Sequence, residues 1–334
     1  MNGRPDLALD VRETSHLSAG MLAYVRALRE LLPTLAPDLQ TVFVGRGDNF
    51  DLAEQVGLPL ALARLRPRLA HFPTPYVPRF IPVPYLVTVH DLIDLEFPQY
   101  AKRKVGPYWR AVVAPVLRGA RAVVTDDERT VELLVRYASV DRTRVHAIPL
   151  GVDAPEPLPA PVQRARPYLF YAGNQRPHKD LPTLLRAWAA LPPALAVDLV
   201  LTGSENAELR ALARPGAELV FTGALDEPAL WAYHRGAAAY VQPALREGFG
   251  LPLLEALRVG TPVLAADTAV PRILAGEVET FPAGDVGALA ALLERALSDP
   301  TVRERATHAR VRSAYLTWAR TVGATAALYR TLLR

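Results

Sequence analysis

The sequence predicts an α/β protein with two doubly wound, Rossmann-like domains in tandem. Short β-branched runs alternate with longer segments of helical periodicity, and this alternation is typical of βαβ units in a parallel sheet. The alternation stops at a proline-rich stretch and then starts again. The chain has 334 residues, 50% of them hydrophobic, which is enough for two ordinary cores.

The first domain is predicted from the pattern that precedes the proline-rich stretch. The first helix is expected over residues 21–32, where apolar side chains recur at helical spacing. The strands are expected at residues 7–11, 41–44, 85–89 and 122–125. Because helical segments separate these runs, the strands should pair in parallel.

A proline-rich linker separates the two domains. Five prolines fall within residues 151–167, which is too many for a helix or an inner strand. We therefore place the first domain at residues 1–155 and the second at residues 156–314. A final amphipathic helix over about residues 315–334 is expected to cross back to the first domain. Its apolar positions are Trp318, Val322, Leu328, Tyr329 and Leu332.

The second domain repeats the alternation of strands and helices. Helices are expected to begin near Pro182 and near Glu227. The expected strands are residues 168–172, 198–202, 218–221, 239–242 and 263–265.

Composition excludes several classes of protein. The chain has no cysteine, so it has neither disulfides nor thiolate metal sites. The 38 Lys and Arg residues nearly balance the 34 Asp and Glu residues, which does not favour nucleic acid as a partner. No signal peptide or membrane span is predicted, so we expect a cytoplasmic protein, soluble or peripheral to the inner face of the cell membrane.

The richest candidate loop covers residues 242–255, between a predicted strand and a predicted helix. Gly248 and Gly250 allow close approach of the backbone to a ligand, and the helix N-terminus that follows favours a diphosphate. Glu247 and Glu255 are carboxylates suited to sugar or ribose hydroxyls. The alternative is a tight turn with a solvent-facing glutamate on each side.

A second candidate loop, residues 171–180, also follows a strand directly. Its Arg176 and Lys179 are suited to neutralising phosphate charge. Lys179 is one of only three lysines in an arginine-rich chain. Ordinary solvated surface charge is the alternative.

Two further loops lie in the first domain. His90 and Asp91 end an apolar strand, where a histidine can contact a substrate hydroxyl or move a proton. A structural histidine bonded to the backbone is the alternative. The loop at residues 15–20 ends at Gly20 and lacks the G-x-G-x-x-G spacing of a dinucleotide site.

These motifs, taken in order, resemble the group 1, or family-four, retaining glycosyltransferases of the GT-B fold. The segment from Glu247 to Glu255 is similar to the family's E-x7-E motif. The other matching segments are His90-Asp-Leu with Phe97-Pro98, Pro149-Leu-Gly-Val-Asp153, Tyr171-Ala-Gly-Asn174 with His178-Lys179, Thr202-Gly203, Phe221-Thr-Gly223, Gly260-Thr-Pro-Val263 and Thr317-Trp318. The branch resembled contains bacterial mannosyl- and rhamnosyl-type transferases of surface polysaccharides.

The resemblance implies a reaction and its substrates. A nucleotide-diphospho-sugar would bind the second domain, the acceptor would bind mainly the first, and a cleft would lie between the two. A hexose, with mannose favoured, would pass with retained configuration to a hydroxyl of a saccharide or lipid-linked saccharide. The resemblance implies no metal and no cofactor, and it favours a GDP-sugar, with a UDP-sugar next.

The resemblance also implies roles for individual residues. Glu247 would bind the sugar hydroxyls and Glu255 the ribose hydroxyls, while Lys179, helped by Arg176, would stabilise the departing diphosphate. His90 would contact the sugar or the reacting hydroxyl, with Asp91 beside it on the acceptor side. The remaining residues expected at the nucleotide-sugar are Gly20, Asn174, Gly203, Gly223, Leu225, Gly248, Phe249, Gly250 and Leu251.

The chain departs from the family pattern at two places in the first domain. Many relatives have G-I-G-R-Y where this chain has Gly20-Met-Leu-Ala-Tyr24, which keeps the first glycine but has Leu22 in place of the second glycine and Ala23 in place of the arginine. A serine is usual at the position of Asp126, and we interpret Thr125 and Asp126 as residues that cap the following helix.

Two alternative functions stay open on the sequence. One is a nucleotide-sugar epimerase of the same fold, and the other is a catalytically silent partner that retains the binding motifs. The basic and aromatic segment at residues 100–110 adds a peripheral membrane contact as a hypothesis. The interpretation that we favour for this segment is an ordinary amphipathic helix whose aromatic residues face the core.

Overall fold

The chain divides into two compact units. A computed structural model describes residues 3–15, 17–48 and 51–334. The first unit comprises Met1–Gly151 together with Leu316–Arg334, and the second comprises Val152–Tyr315. Residues 151–167 contain neither helix nor strand, in keeping with their prolines.

The first unit is built on a six-stranded parallel sheet. Its strands are β1 (Leu7–Asp10), β2 (Thr41–Val44), β3 (Leu69–Phe72), β4 (Tyr85–Thr88), β5 (Ala122–Thr125) and β6 (Val145–Ala147). Its helices before the linker are α1 (Ala19–Leu35), α2 (Leu58–Leu65), α3 (Ile93–Glu96), α4 (Val105–Tyr108), α5 (Ala114–Gly119) and α6 (Glu128–Ala138). The strand order is β2-β1-β3-β4-β5-β6, and every residue of β1, β3 and β5 is buried. Burial on both faces explains why these strands read as continuous apolar runs.

The second unit has a parallel sheet of its own. Its strands are β7 (Tyr168–Tyr171), β8 (Asp198–Leu201), β9 (Leu219–Phe221), β10 (Ala239–Gln242), β11 (Val263–Ala266) and β12 (Glu279–Phe281). Its helices are α7 (Leu181–Ala189), α8 (Ala207–Arg210), α9 (Glu227–Gly236), α10 (Leu251–Val259), α11 (Val286–Ser298) and α12 (Pro300–Ser313). The strand order is β12-β11-β10-β7-β8-β9. This is the order of a Rossmann sheet, with its topological switch point between β7 and β10.

The C-terminal helix, α13 (Trp318–Leu333), belongs to the first unit. The Thr317 side chain caps its N-terminus by accepting a hydrogen bond from the backbone N–H of Arg320. The helix packs against α1, and an ion pair of 2.6 Å joins Arg330 to Asp38. The predicted return of the C-terminal helix to the first domain is therefore confirmed.

The structure confirms all nine predicted strands. Residues 41–44, 122–125 and 239–242 match their strands at both ends, and the other predicted strands differ by one residue at one end. Three short strands, β3, β6 and β12, were not predicted, because each carries polar residues that interrupt the apolar pattern. Helix α1 begins at Ala19, so Gly20 lies in its first turn rather than in the preceding loop.

Candidate active site

The switch point of the second unit brings the two richest predicted loops together. One loop leaves β7 and the other leaves β10, and these two strands are hydrogen-bonded neighbours. The backbone N–H of Leu245 donates to the carbonyl of His178 at 2.8 Å, which ties the loops to each other. Ligands of doubly wound sheets bind at the carboxyl ends of the strands on either side of such a point.

Lys179 and Glu247 form an ion pair across this point. Lys179 ends a 3-10 turn, Pro177–Lys179, and is only 8% exposed. Its Nζ donates to both carboxylate oxygens of Glu247, each at 2.5 Å. An ion pair with so little exposure to water depends on both partners, because either charge left unpaired at this buried position would reduce the stability of the fold.

The N-terminus of α10 lies immediately after Glu247 in the chain. Gly250 has a φ of +78°, a conformation that favours glycine, and it serves as the N-cap residue without a side-chain hydrogen bond. Phe249 is buried and anchors the loop between the two glycines. Backbone N–H groups at the start of a helix that carries no side-chain cap are suited to an anion.

Glu255, one turn inside α10, faces a buried histidine. The Nε2 atom of His234 in α9 lies 3.3 Å from Oε2 of Glu255. His234 is fully buried, whereas 17% of the Glu255 side chain is exposed. The side chain that we expect to bind ribose is therefore mostly buried, with a part of it exposed.

The glycine loops that follow β8 and β9 are joined to each other. Gly203 and Gly223 exchange two backbone hydrogen bonds of 2.9 and 3.0 Å in an antiparallel bridge, and both have positive φ. The Gln175 side chain donates to the carbonyl of Ser204 at 2.8 Å, which connects this bridge to the loop after β7. The half-buried Leu225 follows the bridge.

Asn174 and Arg176 lie on the exposed part of the loop after β7. The Asn174 side chain accepts a hydrogen bond of 3.1 Å from the backbone N–H of Arg176, and the Tyr171 hydroxyl donates to the Asn174 carbonyl at 2.6 Å. The loop is therefore shaped by its own hydrogen bonds.

His90 occupies the carboxyl edge of the sheet in the first unit, and both of its ring nitrogens face acceptors. Nδ1 lies 2.8 Å from Oδ2 of Asp126, and Nε2 lies 3.2 Å from the carbonyl oxygen of Pro73. Asp126 thus pairs with His90 and does not cap a helix. The N-cap of α6 is Asp127, which accepts from the N–H of Arg129, so our interpretation of Thr125 and Asp126 as capping residues was wrong.

Burial and neighbouring negative charge shift the pKa of His90 in opposite directions. Burial lowers its pKa, but the Asp126 carboxylate, together with Asp91 and the Pro73 carbonyl, more than offsets this effect, so the pKa of His90 lies above its ordinary value. Burial also raises the pKa of Asp126. Asp91 itself accepts a hydrogen bond of 3.1 Å from the N–H of Ile93 at the start of α3.

A buried hydrogen-bonded chain connects the His90 environment with the C-terminal helix. The Tyr24 ring packs edge-on against His90, with ring centroids 5.0 Å apart, and the Tyr24 and Thr88 hydroxyls are 3.2 Å apart. His71 lies 2.9 Å from the Thr88 hydroxyl through Nε2 and 2.5 Å from the Tyr329 hydroxyl through Nδ1. Burial, with the charge of His90 second, lowers the pKa of His71 to about 3, so His71 is neutral.

The N-terminus of α1 is capped by a side chain, unlike the N-terminus of α10. The Ser18 side chain caps the helix by accepting a hydrogen bond of 3.3 Å from the N–H of Met21. Gly20 follows within the first turn. His16, in the same predicted loop, lies outside the described residues.

Sequence reasoning missed three residues of these clusters: Asp126, His234 and His71. Asp126 was noted only as a departure from the usual serine, although its position directly after β5, beside the strand that carries His90, is a usable signal. His71 and His234 are histidines within otherwise apolar stretches, and such residues need polar partners when buried.

The described residues contain neither a metal-binding cluster nor a helix that could span a membrane. No group of three or more His, Asp or Glu side chains in residues 3–15, 17–48 and 51–334 is placed to hold a metal ion. No helix in the same ranges is long and apolar enough to cross a membrane. In the basic and aromatic segment, Trp109 is buried and donates to the carbonyl of Tyr137 at 3.0 Å, whereas Lys102, Arg103 and Lys104 are exposed.

Two Rossmann-like units in tandem, each with a parallel six-stranded sheet, are the architecture of the GT-B fold. The family model for group 1 glycosyl transferases matches residues 160–311, and the model for glycosyltransferase family 4 matches residues 34–156. Together the two matches cover most of both units. The chain belongs to the group 1 glycosyltransferases.

Individual relatives agree with this family, and one solved structure has the same fold. The serotype-specific mannosyltransferase WbdA of Escherichia coli is 27% identical over 253 residues, 72% of this chain, but the match spans only 31% of WbdA. The O-antigen chain mannosyltransferase B of Escherichia coli is 25% identical over 74% of this chain and 70% of its own. Sucrose-phosphate synthase from Thermosynechococcus elongatus has the same fold, with a TM-score of 0.76, 22% identity and coverage of 98% of this chain and 99% of its own.

Proposed function

We propose that this glycosyltransferase moves a hexose, with mannose favoured, from a nucleotide-diphospho-sugar to a hydroxyl of a saccharide or lipid-linked saccharide. A GDP-sugar is the favoured substrate and a UDP-sugar the next. WbdA and the O-antigen chain mannosyltransferase support both the sugar and a role in the synthesis of surface polysaccharide or glycolipid. The transfer retains the anomeric configuration and needs no metal or cofactor.

The single observation that carries this proposal is the Lys179–Glu247 pair at the switch point of the second unit. A cation for the diphosphate and a carboxylate for sugar hydroxyls lie side by side there. The N-terminus of α10 follows directly in the chain and carries no side-chain cap. Anion-binding and hydroxyl-binding groups therefore converge where a doubly wound sheet binds its ligand.

Each group receives a role in binding the nucleotide-sugar. Lys179, with Arg176, stabilises the charge on the departing diphosphate, and Glu247 holds the sugar hydroxyls. Glu255 accepts hydrogen bonds from the ribose hydroxyls. The backbone around Gly223 and Leu225 contacts the base. The amides of residues 248–251 face the sugar and phosphate, and the other residues assigned to the nucleotide-sugar are Gly20, Asn174 and Gly203.

The reaction forms one glycosidic bond and breaks one sugar–phosphate bond. The anomeric carbon loses the diphosphate oxygen, which leaves with the electron pair. The acceptor hydroxyl attacks the same face of the sugar, and its proton passes to a phosphate oxygen of the leaving group. Neither Glu247 nor Glu255 acts as a nucleophile, because both are assigned to hydroxyls elsewhere on the nucleotide-sugar.

His90 acts from the first unit as a hydrogen-bond donor to the sugar or the reacting hydroxyl. Its ring is held by Asp126, and its Nε2–H is available for sharing between the Pro73 carbonyl and a substrate oxygen. A positively charged ring donates such a bond more strongly than a neutral one. Asp91 lies beside His90 on the acceptor side.

A thermal-shift titration tests the assignment of the nucleotide. Wild type, Glu255→Ala and the exposed control Glu294→Ala on α11 are each titrated with GDP, UDP, ADP and dTDP. Binding to the native state raises stability as RT ln(1 + [L]/Kd), so the correct nucleotide should shift wild type and the control equally. Glu255→Ala should lose most of that shift, and an unchanged shift would remove Glu255 from the nucleotide site.

A second assay tests transfer itself. The nucleotide-sugar whose base was identified is incubated with and without oligosaccharide acceptors, and nucleotide release is followed. Release that requires an acceptor supports transfer, whereas conversion of the nucleotide-sugar alone would indicate an epimerase. Proton NMR of the product's anomeric position then reports retention or inversion.

A further inference from the structure

His234 is a fully buried histidine whose ring is held in place from several sides. Phe170 packs edge-on against it with ring centroids 5.0 Å apart, and Tyr240 lies 5.2 Å away. The Thr261 hydroxyl donates to the backbone carbonyl of His234 at 2.6 Å. The orientation of the ring is therefore set by packing, and Nε2 lies 3.3 Å from Oε2 of Glu255.

Three buried polar atoms at this contact lack a well-formed hydrogen bond. Within residues 3–15, 17–48 and 51–334, neither ring nitrogen of His234 nor Oε2 of Glu255 has a partner of good geometry. Buried polar groups nearly always have one, so two unsatisfied atoms this close to each other require an explanation. The distance of 3.3 Å between Nε2 and Oε2 is only slightly longer than an ordinary N–H···O hydrogen bond.

We propose that His234 is a positioning residue that sets the orientation of the Glu255 carboxylate for a vicinal diol, the ribose of a nucleoside diphosphate. The inference rests on the proposed function, because Glu255 is the group expected to bind ribose. His234 donates its Nε2–H to Oε2 in the interior and touches no part of the nucleotide. The exposed part of the carboxylate is then held ready to accept from the two hydroxyls, so less ordering is needed on binding.

The test compares two substitutions that separate hydrogen bonding from packing. His234→Gln keeps an N–H donor close to the position of Nε2, whereas His234→Phe keeps the ring and removes the donor. UDP and GDP are titrated separately into each variant by isothermal titration calorimetry. Tyr168→Phe is the matched control, because it removes a hydrogen bond of 2.8 Å to the carbonyl of Tyr233 on the same helix and does not involve Glu255.

We expect nucleotide affinity to fall only in the variant that lacks a hydrogen-bond donor at residue 234. His234→Phe should raise the Kd of the bound nucleotide on the order of ten-fold, while His234→Gln and Tyr168→Phe stay within about two-fold of wild type. In steady-state assays the KM for the nucleotide-sugar should rise in His234→Phe with kcat nearly unchanged. Wild-type affinity in His234→Phe, alongside weak binding by Glu255→Gln, overturns the proposal.

A double-mutant cycle on stability tests the contact between His234 and Glu255 even if the wild type binds neither nucleotide. In that event the proposed preference for GDP or UDP fails, but the coupling between His234 and Glu255 is still measurable from the urea midpoints of His234→Phe, Glu255→Gln and the double variant. The proposal expects the double variant to lose much less than the sum of the single losses. Additive midpoint shifts overturn the inference independently of nucleotide binding.

Discussion

The Nδ1 atom of His90 lies 2.8 Å from Oδ2 of Asp126, while Nε2 of the same ring faces the carbonyl oxygen of Pro73. A carbonyl oxygen only accepts hydrogen bonds, and an ionised carboxylate does the same. Both ring nitrogens therefore carry protons, and the ring is positively charged. This arrangement explains why the pKa of His90 lies above its ordinary value despite complete burial.

The charged pair predicts how stability depends on pH. A group whose pKa is higher in the folded state stabilises the fold fully below its unfolded pKa, and this contribution is lost as the pH rises through the folded pKa. For His90 the loss begins near pH 6.5 and continues as the pH rises through the raised pKa of the folded protein. The Tm of the wild type should therefore fall above this pH. The Asp126→Asn variant should lack this fall, because the buried His90 ring stays neutral when the carboxylate is absent.

His71 provides an internal control for this measurement. Its pKa is lowered to about 3, so its contribution has the opposite sign and stability is lost as the pH falls below about 6.5. Asp126→Asn should keep this acid-side loss. If Asp126→Asn retains the wild-type decline above pH 6.5, the assignment of a charged His90 is wrong.

The contact between Tyr329 and His71 predicts a cost for a single hydroxyl. Tyr329→Phe removes the only hydroxyl of α13 that reaches His71 among the described residues and leaves the buried Nδ1 without its partner. We expect a loss of about 1–3 kcal/mol in the free energy of unfolding. Urea denaturation measures it, with Tyr100→Phe, at a 38% exposed tyrosine, as the control for loss of a hydroxyl. Equal stabilities of the two variants would contradict the role of this contact.

The loops of the second unit were predictable, but their partners were not. Gly250 and Lys179 lie in loops that directly follow predicted strands, and the local sequence is enough to place these loops at the carboxyl edge of a parallel sheet. The pairing of Lys179 with Glu247 depends on β10 lying beside β7 rather than beside β9. Strand order is set by packing over the whole sheet, and short-range patterns do not encode it.

The hydrogen-bonding and ion-pair partners of the buried histidines could not be predicted from the sequence either. His234 lies in an amphipathic helix and His71 in an apolar strand, so each resembles a core position in the sequence. Only the structure brings Glu255 to the first and Tyr329 to the second. The resemblance to the glycosyltransferase family identified the residues of its motifs but not Asp126, since serine is usual at that position.

Two glycines of the first unit should respond oppositely to alanine. A Cβ atom on Gly151 would lie 2.1 Å from the carbonyl carbon of Thr317. This is a backbone atom, which can move away only at a large cost in free energy. Gly151→Ala should therefore cost about 3 kcal/mol or more. Gly323, inside α13, has no described atom within 4 Å of the same position, so Gly323→Ala should stabilise by about 0.5–1 kcal/mol. Thermal unfolding of both variants checks the signs, and destabilisation by Gly323→Ala would contradict this description of α13.

The Lys179–Glu247 pair predicts the largest effect on catalysis. If Lys179 acts on the leaving diphosphate, Lys179→Ala should lower kcat by about 100-fold or more while the KM for the nucleotide-sugar changes much less. Acceptor-dependent nucleotide release measures both. Lys104→Ala, at an exposed lysine of the first unit, is the control and should leave both constants unchanged.

The same substitution also removes the partner of a carboxylate that is 10% exposed, so a loss of stability must be separated from a loss of chemistry. Lys179→Ala with Glu247→Gln removes both charges and should recover much of the stability lost in Lys179→Ala. It should not recover kcat, because the leaving diphosphate still has no cation. A double variant that regained wild-type kcat would show that Lys179 serves only to neutralise Glu247, and the catalytic role assigned to Lys179 would then be lost.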